Sequence, residues 1–174
     1  MPETETLFQT QWLGLYRIGH WDFVRRPHSD SCVAILAITP RDEIILVEQF
    51  RIPMQRSVME LPAGLVGDEA EYADESLAET ARRELLEETG YSAATMLPLI
   101  ASPTSAGMAS EFMHLFHAKN LVRENDGGGL PEEQITVHHV PLGGIRAWAE
   151  EQKAAGKLVD FKIFAALWLA GIRG

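Results

Sequence analysis

RRELLEETG, residues 82–90, crowds Glu84, Glu87 and Glu88 into a stretch with helical periodicity. Like charges three and four positions apart share a helix face and cost about 0.2–0.5 kcal/mol per pair. With Leu77 as the origin of a helical wheel, Ala81, Leu85 and Ala78 fall at about 40°, 80° and 100° and form an apolar face. Glu84 and Glu88 fall at about 340° and 20°, beside Leu77, and Glu87 at about 280°. The acids therefore border the core-facing side. A solvated charged face explains part of the pattern, since Glu79–Arg83 and Arg83–Glu87 are i,i+4 pairs of opposite charge. It does not explain Glu84 and Glu88, one turn apart. A shared divalent cation relieves their repulsion. Magnesium is a hard ion that takes carboxylate oxygens and keeps waters for substrate phosphates. The geometry favours the metal reading over the solvated face.

The helix bearing these acids is expected to begin with Asp74 as N-cap, to carry Glu75 at its positive end, and to stop at Gly90. Upstream, residues 11–26 alternate loosely and read as a hairpin. CVAILAI (32–38) reads as a buried strand, residues 39–42 as a turn, and EIILVEQF (43–50) as a second strand. Residues 51–58 read as a loop, MELPAGLV (59–66) as a short strand broken by Pro62 and Gly64, and GDEAEYAD (67–74) as an acidic loop. Downstream, AATMLPLIA (93–101), EFMHLFHAKNL (111–121) and QITVHHVPL (134–142) read as strands, with the loop RENDGGGLPEE at 123–133. Residues 145–153 and 159–172 read as closing helices, with Trp168 in the core. Strands dominate the middle and helices are placed singly around them, which is an α+β order rather than a regular βαβα one.

The 174 residues, 46% hydrophobic, suit one domain that buries roughly 70% of its extended surface. No apolar run approaches the ~18 residues of a membrane span. The polar, acidic start MPETETLFQT lacks the basic and apolar regions of a secretory signal. One cysteine, Cys32, allows no internal disulfide and suits a reducing cytoplasm. Its apolar setting marks an inert buried thiol. A net charge of −10 disfavours general binding to nucleic acid or anionic membrane. A phosphorylated substrate would need metal ions or a local basic pocket.

GLV…E…RRELLEETGY resembles the Nudix box, G-x5-E-x7-R-E-U-x-E-E-x-G-U, with U aliphatic. Glu75, seven residues, then Arg83, Glu84, Leu85, Glu87, Glu88 and Gly90 match it. Two positions depart. Ten residues rather than five separate Gly64 from Glu75, an insertion within the acidic loop at 67–74, and Tyr91 holds the last aliphatic position. VEQFRIPMQRSVMELPAGLV (47–66), ASPTSAGMASEFMHLFHAKNL (101–121) and HWDFVRRP (20–27) are similar to segments of the ADP-ribose and nucleoside-diphosphate-sugar pyrophosphatase branch. The resemblance implies a Nudix fold over residues 1–174, a mixed β-sheet core flanked by helices. It also implies an N-terminal β-hairpin region, about 1–30, that serves a homodimer. The implied activity is hydrolysis of the diphosphate of ADP-ribose or a related nucleoside diphosphate sugar with Mg2+, or Mn2+ as substitute.

By the same resemblance, Glu84 and Glu88 are the principal metal ligands. Glu87 is a further one, direct or through water, and the Ala63 carbonyl is a main-chain ligand. Arg83 orients the glutamates, Arg51 contacts phosphate and Glu60 assists substrate or metal. The base is expected on the loop NDGGGLPEEQ, where Gly127, Gly128 and Gly129 give freedom to close over substrate. Glu133 is chosen over Glu132, Glu111 competes with them as the base, and substrate or metal positioning is its other role. A polar loop that merely contains acids is the alternative. Trp12 and Trp21 are read equally as packing or as stacking on the nucleobase across a dimer interface. His138 and His139 are adjacent on a strand, point to opposite faces and read as structural, as do His114 and His117. Two other functions compete: hydrolysis of another nucleotide such as a dinucleoside polyphosphate, and a regulatory module that binds nucleotide without turnover.

Overall fold

The computed structural model describes residues 2–67, 70–130 and 133–172. Strands β1 (Thr4–Gln9), β2 (Gly14–Ile18) and β3 (Trp21–Arg25) form an antiparallel sheet in that order. The expected hairpin is present as β2–β3, turning at Gly19 with φ 63°, and β1 adds a strand at its edge.

β4 (Ser31–Ala37) is buried at every position after Ser31, as a continuous apolar run requires when both faces of a strand are covered. β5 (Glu43–Arg51) returns antiparallel toward β6 (Arg56–Glu60). β7 (Ala63–Leu65) then leads to α1 (Leu77–Thr89). β8 (Tyr91–Pro103), β9 (Phe112–Arg123) and β10 (Thr136–Pro141) follow, and α2 (Ile145–Ala154), β11 (Leu158–Val159) and α3 (Lys162–Leu169) close the fold. Two four-stranded mixed sheets result, ordered β7-β4-β9-β8 and β10-β5-β6-β11. β4 runs parallel to β9, and β6 parallel to β11. The architecture is α+β, with three α-helices among the described residues.

The alternation along β4 divides the core. Val33, Ile35 and Ala37 pack with Ala81 and Leu85 of α1. Ala34 and Leu36 pack with Ile163, Ala166 and Leu167 of α3. Each such buried Leu or Ile side chain contributes roughly 1.5–3 kcal/mol, so α1 is seated firmly by residues that take no part in chemistry.

Several boundaries differ from the sequence reading. Within 51–58, expected as loop, a 3-10 turn at Ile52–Met54 is followed by β6, paired to β5 from Arg51↔Arg56 onward. Polar Arg56 and Ser57 hid this strand. The N-cap of α1 is Ser76, not Asp74, because Ser76 and Glu79 form a reciprocal capping box. Gly90 does end α1, with φ 76° and its N–H on the Leu86 carbonyl. The last helix is shorter than 159–172, since Leu158–Val159 pairs with Val58 and Met59 as a strand. Trp168 is 78% exposed rather than core, because α3 turns Ile163, Ala166 and Leu167 inward.

Cys32 is buried, and burial pushes its thiol up to about 12, consistent with an unreactive group. His138 and His139 face opposite ways: His138 Nε2 lies 3.0 Å from Glu48, and His139 Nε2 lies 3.0 Å from the Tyr91 hydroxyl. Among the described residues no helix is long and apolar enough to cross a membrane.

Candidate active site

With Ala81 and Leu85 fixed in the core, α1 presents Glu84, Glu87 and Glu88 to a cavity of about 610 Å³. Glu133 joins them on this acidic wall. Arg26, Arg51 and Lys162 line the same cavity, so acids and cations share one space.

Glu88 is only 7% exposed, and its Oε2 accepts the Ala63 N–H at 3.0 Å. Burial pushes its carboxyl up to about 8. The Ala63 N–H and Arg51 oppose that rise, while Glu84 and Glu133 add to it. Arg83 is the hub of the acidic wall. Its Nη1 lies 2.9 Å from Glu84 and 3.0 Å from Glu87, and its Nε lies 3.2 Å from Glu75. Burial opposes its charge, but Glu84, Glu75 and Glu87 outweigh burial and hold the guanidinium protonated more firmly than usual. The expected orienting role of Arg83 thus has a geometric basis.

The insertion leaves both ends of the motif in contact with the helix. Glu75 Oε2 reaches Arg83 and also accepts from Thr80 Oγ1 at 3.1 Å. Gly64 lies so close to Glu84 that any Cβ there would overlap the Glu84 carboxyl. The sequence marked Gly64 as a motif position but not as the floor on which Glu84 rests.

In the same cavity, Arg51 Nε at the end of β5 lies 2.6 Å from the Glu60 carboxylate of β6, although the register pairs Arg51 with Arg56 and Glu60 with Val47. Arg26 Nε lies 3.0 Å from Glu111, which ties the N-terminal sheet's exit to the start of β9. Glu111 is therefore placed as a holder of Arg26. Lys162 pairs with Asp160. Arg26 and Lys162 were not singled out by the sequence reading. Arg26 lies inside the HWDFVRRP segment, whereas a lone lysine at a helix start carries no signal.

Glu133 lies against the cavity with Oε2 accepting the Leu130 N–H at 2.7 Å and its own carbonyl accepting from Gln49 at 3.3 Å. Glu132 lies outside the described residues. Gly127, Gly128 and Gly129 all take positive φ, 66°, 110° and 64°. The Gly128 and Gly129 N–H groups donate to the carbonyls of Glu88 and Glu87 at 2.8 and 3.0 Å. The glycines thus dock the loop on the C-terminal turn of α1, rather than serving only as slack. Trp12 and Trp21 are not brought to the cavity: they are 73% and 55% exposed on the N-terminal sheet, where Trp21 Nε1 donates to the Gly107 carbonyl at 3.2 Å.

Among the described residues no three His, Cys, Asp or Glu side chains already converge as a metal-ligand set. Arg83 holds Glu84 and Glu87 in place instead. The donors that face the cavity are nonetheless carboxylate oxygens, the hard donors that suit magnesium or manganese. The Glu88 carboxyl is buried, burial raises its pKa, and a cation beside it would favour the ionised form. On these two observations the residues fit a hard divalent cation.

A family model described as NUDIX domain matches residues 28–160. A methanol dehydrogenase activator of Bacillus methanolicus is 41% identical over 114 residues, covering 66% of this chain and 57% of that protein. An ADP-ribose pyrophosphatase of Bacillus subtilis (strain 168) is 43% identical over 124 residues, covering 70% and 62%. A GDP-mannose pyrophosphatase of Pectobacterium atrosepticum is 32% identical over 153 residues, covering 83% and 74%. The chain thus spans 57% and 62% of the length of the first two of these relatives. Among solved structures, an ADP compounds hydrolase matches with a TM-score of 0.75 at 21% identity, over 97% of this chain and 90% of that one, and supports the fold alone.

Proposed function

This chain belongs to the Nudix family, and on that footing we propose that it hydrolyses the diphosphate linkage of ADP-ribose or a related nucleoside diphosphate sugar. The products are a nucleoside monophosphate and a sugar phosphate. One observation carries the reading: Glu84, Glu87 and Glu88 on α1 face the same cavity as Arg51. The relatives named ADP-ribose pyrophosphatase and GDP-mannose pyrophosphatase support the substrate class.

Glu84, Glu88, Glu87 and the Ala63 carbonyl would hold magnesium, or manganese in its place, which would supply neutralisation of the diphosphate charge and a more acidic water. The chain's residues do the rest. Arg83 shares its Nη1 between Glu84 and Glu87 and holds both at the cavity. Arg51, held by Glu60, offers a guanidinium to a phosphate oxygen. Glu133 takes the proton of the attacking water after exchanging its bond to the Leu130 amide for one to that water. Glu132 is the second candidate for this role. Glu111 positions Arg26. We further propose one domain over 1–174, a cytoplasmic location and a homodimer whose N-terminal strands bring Trp12 and Trp21 near the partner's substrate. Nucleic acid is not a partner in this reading.

A second reading, a module that binds nucleotide and regulates another enzyme, is favoured by one finding: the relative named methanol dehydrogenase activator. Turnover of ADP-ribose, GDP-mannose, UDP-glucose and dinucleoside polyphosphates, with magnesium and with chelator, separates the readings. Metal-dependent release of a nucleoside monophosphate from one sugar nucleotide is expected. Preference for a dinucleoside polyphosphate would change the substrate. Binding without turnover of any would favour the regulatory module.

A further inference from the structure

The extra residues between Gly64 and Glu75 do more than lengthen a loop. They fold into a 3-10 turn at Ala70–Tyr72. Gly67 turns with φ 67°, and a Cβ built on it would reach van der Waals contact with the Ala73 backbone, so the segment comes back on itself. The turn sets the half-buried Tyr72 ring over the Arg83 guanidinium, 4.3 Å from Cζ to ring centroid. The Tyr72 carbonyl also accepts the Glu75 N–H at 3.1 Å. Tyr72 therefore meets the acidic wall's hub twice, once at Arg83 and once at the backbone of its carboxylate partner Glu75.

We propose that Tyr72 is a positioning residue that fixes the Arg83 guanidinium and, through it, Glu84 and Glu87. A guanidinium donates hydrogen bonds in its plane and attracts an aromatic ring at its face. Arg83 uses its in-plane Nε and Nη1 for Glu75, Glu84 and Glu87. Its Nη2 is buried and, among the described residues, meets no hydrogen-bond acceptor. Carboxylates alone thus leave the guanidinium incompletely held, and the ring supplies the missing restraint from the face. Loss of the ring frees the long side chain to turn, and Glu84 and Glu87 lose a shared, fixed donor. An aliphatic side chain at 72 restores bulk but no quadrupole. Phenylalanine restores the quadrupole, and tryptophan strengthens it.

The inference rests on the reading that the α1 acids take a divalent cation. The test is Mn2+ binding to the chelator-treated full chain, followed by electron paramagnetic resonance of free Mn2+, for wild type, Tyr72→Phe, Tyr72→Leu and Tyr72→Trp. Melting temperature and ADP-ribose turnover are recorded in parallel. Tyr72→Leu is expected to weaken Mn2+ binding about three- to tenfold, with Tyr72→Phe within about twofold of wild type and Tyr72→Trp no weaker. At saturating Mn2+ the Tyr72→Leu loss falls on kcat and not on the KM for ADP-ribose. Binding by Tyr72→Leu equal to wild type overturns the proposal. So does Tyr72→Phe as weak as Tyr72→Leu, which would assign the effect to the hydroxyl. If Tyr72→Leu does not fold, Tyr72→Trp binding more weakly than Tyr72→Phe overturns it. Wild type that binds Mn2+ with the expected series but turns over no sugar nucleotide sinks the proposed activity and leaves Tyr72 in place. Wild type that binds no Mn2+ overturns the inference.

Discussion

Glu88 sits where burial and chemistry make opposite demands. Burial favours the protonated acid, while a metal ligand must be ionised. In the metal-free protein its folded carboxyl is raised from 4.5 to about 8. Between those values the folded chain holds a proton that the unfolded chain has released. Stability therefore falls as pH rises through that window, by on the order of 5 kcal/mol across the whole of it. Glu88→Gln is expected to remove this slope in chelator-treated protein, measured by urea denaturation from pH 5 to pH 8. The same variant is expected to lose more turnover than the ~10–100-fold typical of outer-shell changes. A variant with the wild-type slope and wild-type turnover would refute the assignment. The grouping of Glu84, Glu87 and Glu88 was legible because a helix has a fixed period, and acids that border its core side need a reason. Arg26 and Lys162 were not legible, because they enter the cavity from elements far apart in the chain, and only tertiary packing brings them together.

At the scale of elements, the join between α1 and the loop after β9 controls the site. The last carbonyls of a helix lack partners within it. Here Gly128 and Gly129 supply N–H groups to Glu88 and Glu87, the residues whose side chains face the cavity. Gly127 approaches the Thr89–Gly90 backbone too closely to admit a Cβ. Gly127→Ala is expected to displace the loop from the helix, to lower stability by about 1–3 kcal/mol through strain at positive φ, and to lower kcat through Glu133. Denaturation midpoints and steady-state kinetics check this, and unchanged values for both would show that the docking is incidental. A run of three glycines signals conformational freedom in sequence, but it does not say which carbonyls the freed amides reach. The cap of α1 was misplaced for a related reason. Asp74 and Ser76 are both good N-caps, and only the reciprocal Glu79 bond decides between them. The central strands were legible because unbroken apolar runs such as CVAILAI have few other uses.

For the whole molecule, the N-terminal sheet is the part that looks unfinished. Phe8, Trp12, Leu13, Leu15 and Trp21 all stay exposed on it or its turns. Exposure of several large apolar side chains on one small sheet suits the proposed homodimer. Light scattering at micromolar concentration is expected to give twice the chain mass, and a monomeric mass would remove the dimer. The α+β class was legible from element order. The division into a separate three-stranded sheet and two mixed four-stranded sheets was not, since strand partners are chosen by packing across the chain and no local pattern encodes them.

Three of the four tryptophans, Trp12, Trp21 and Trp168, lie at the surface. Intrinsic fluorescence of this protein should therefore already resemble that of indole in water while the chain is folded. Denaturation will shift the emission little, and a flat trace will not mean an intact fold. Association that covers Trp12 and Trp21, or a base stacked on either, will move it instead. The chain carries a built-in optical reporter of encounters rather than of folding.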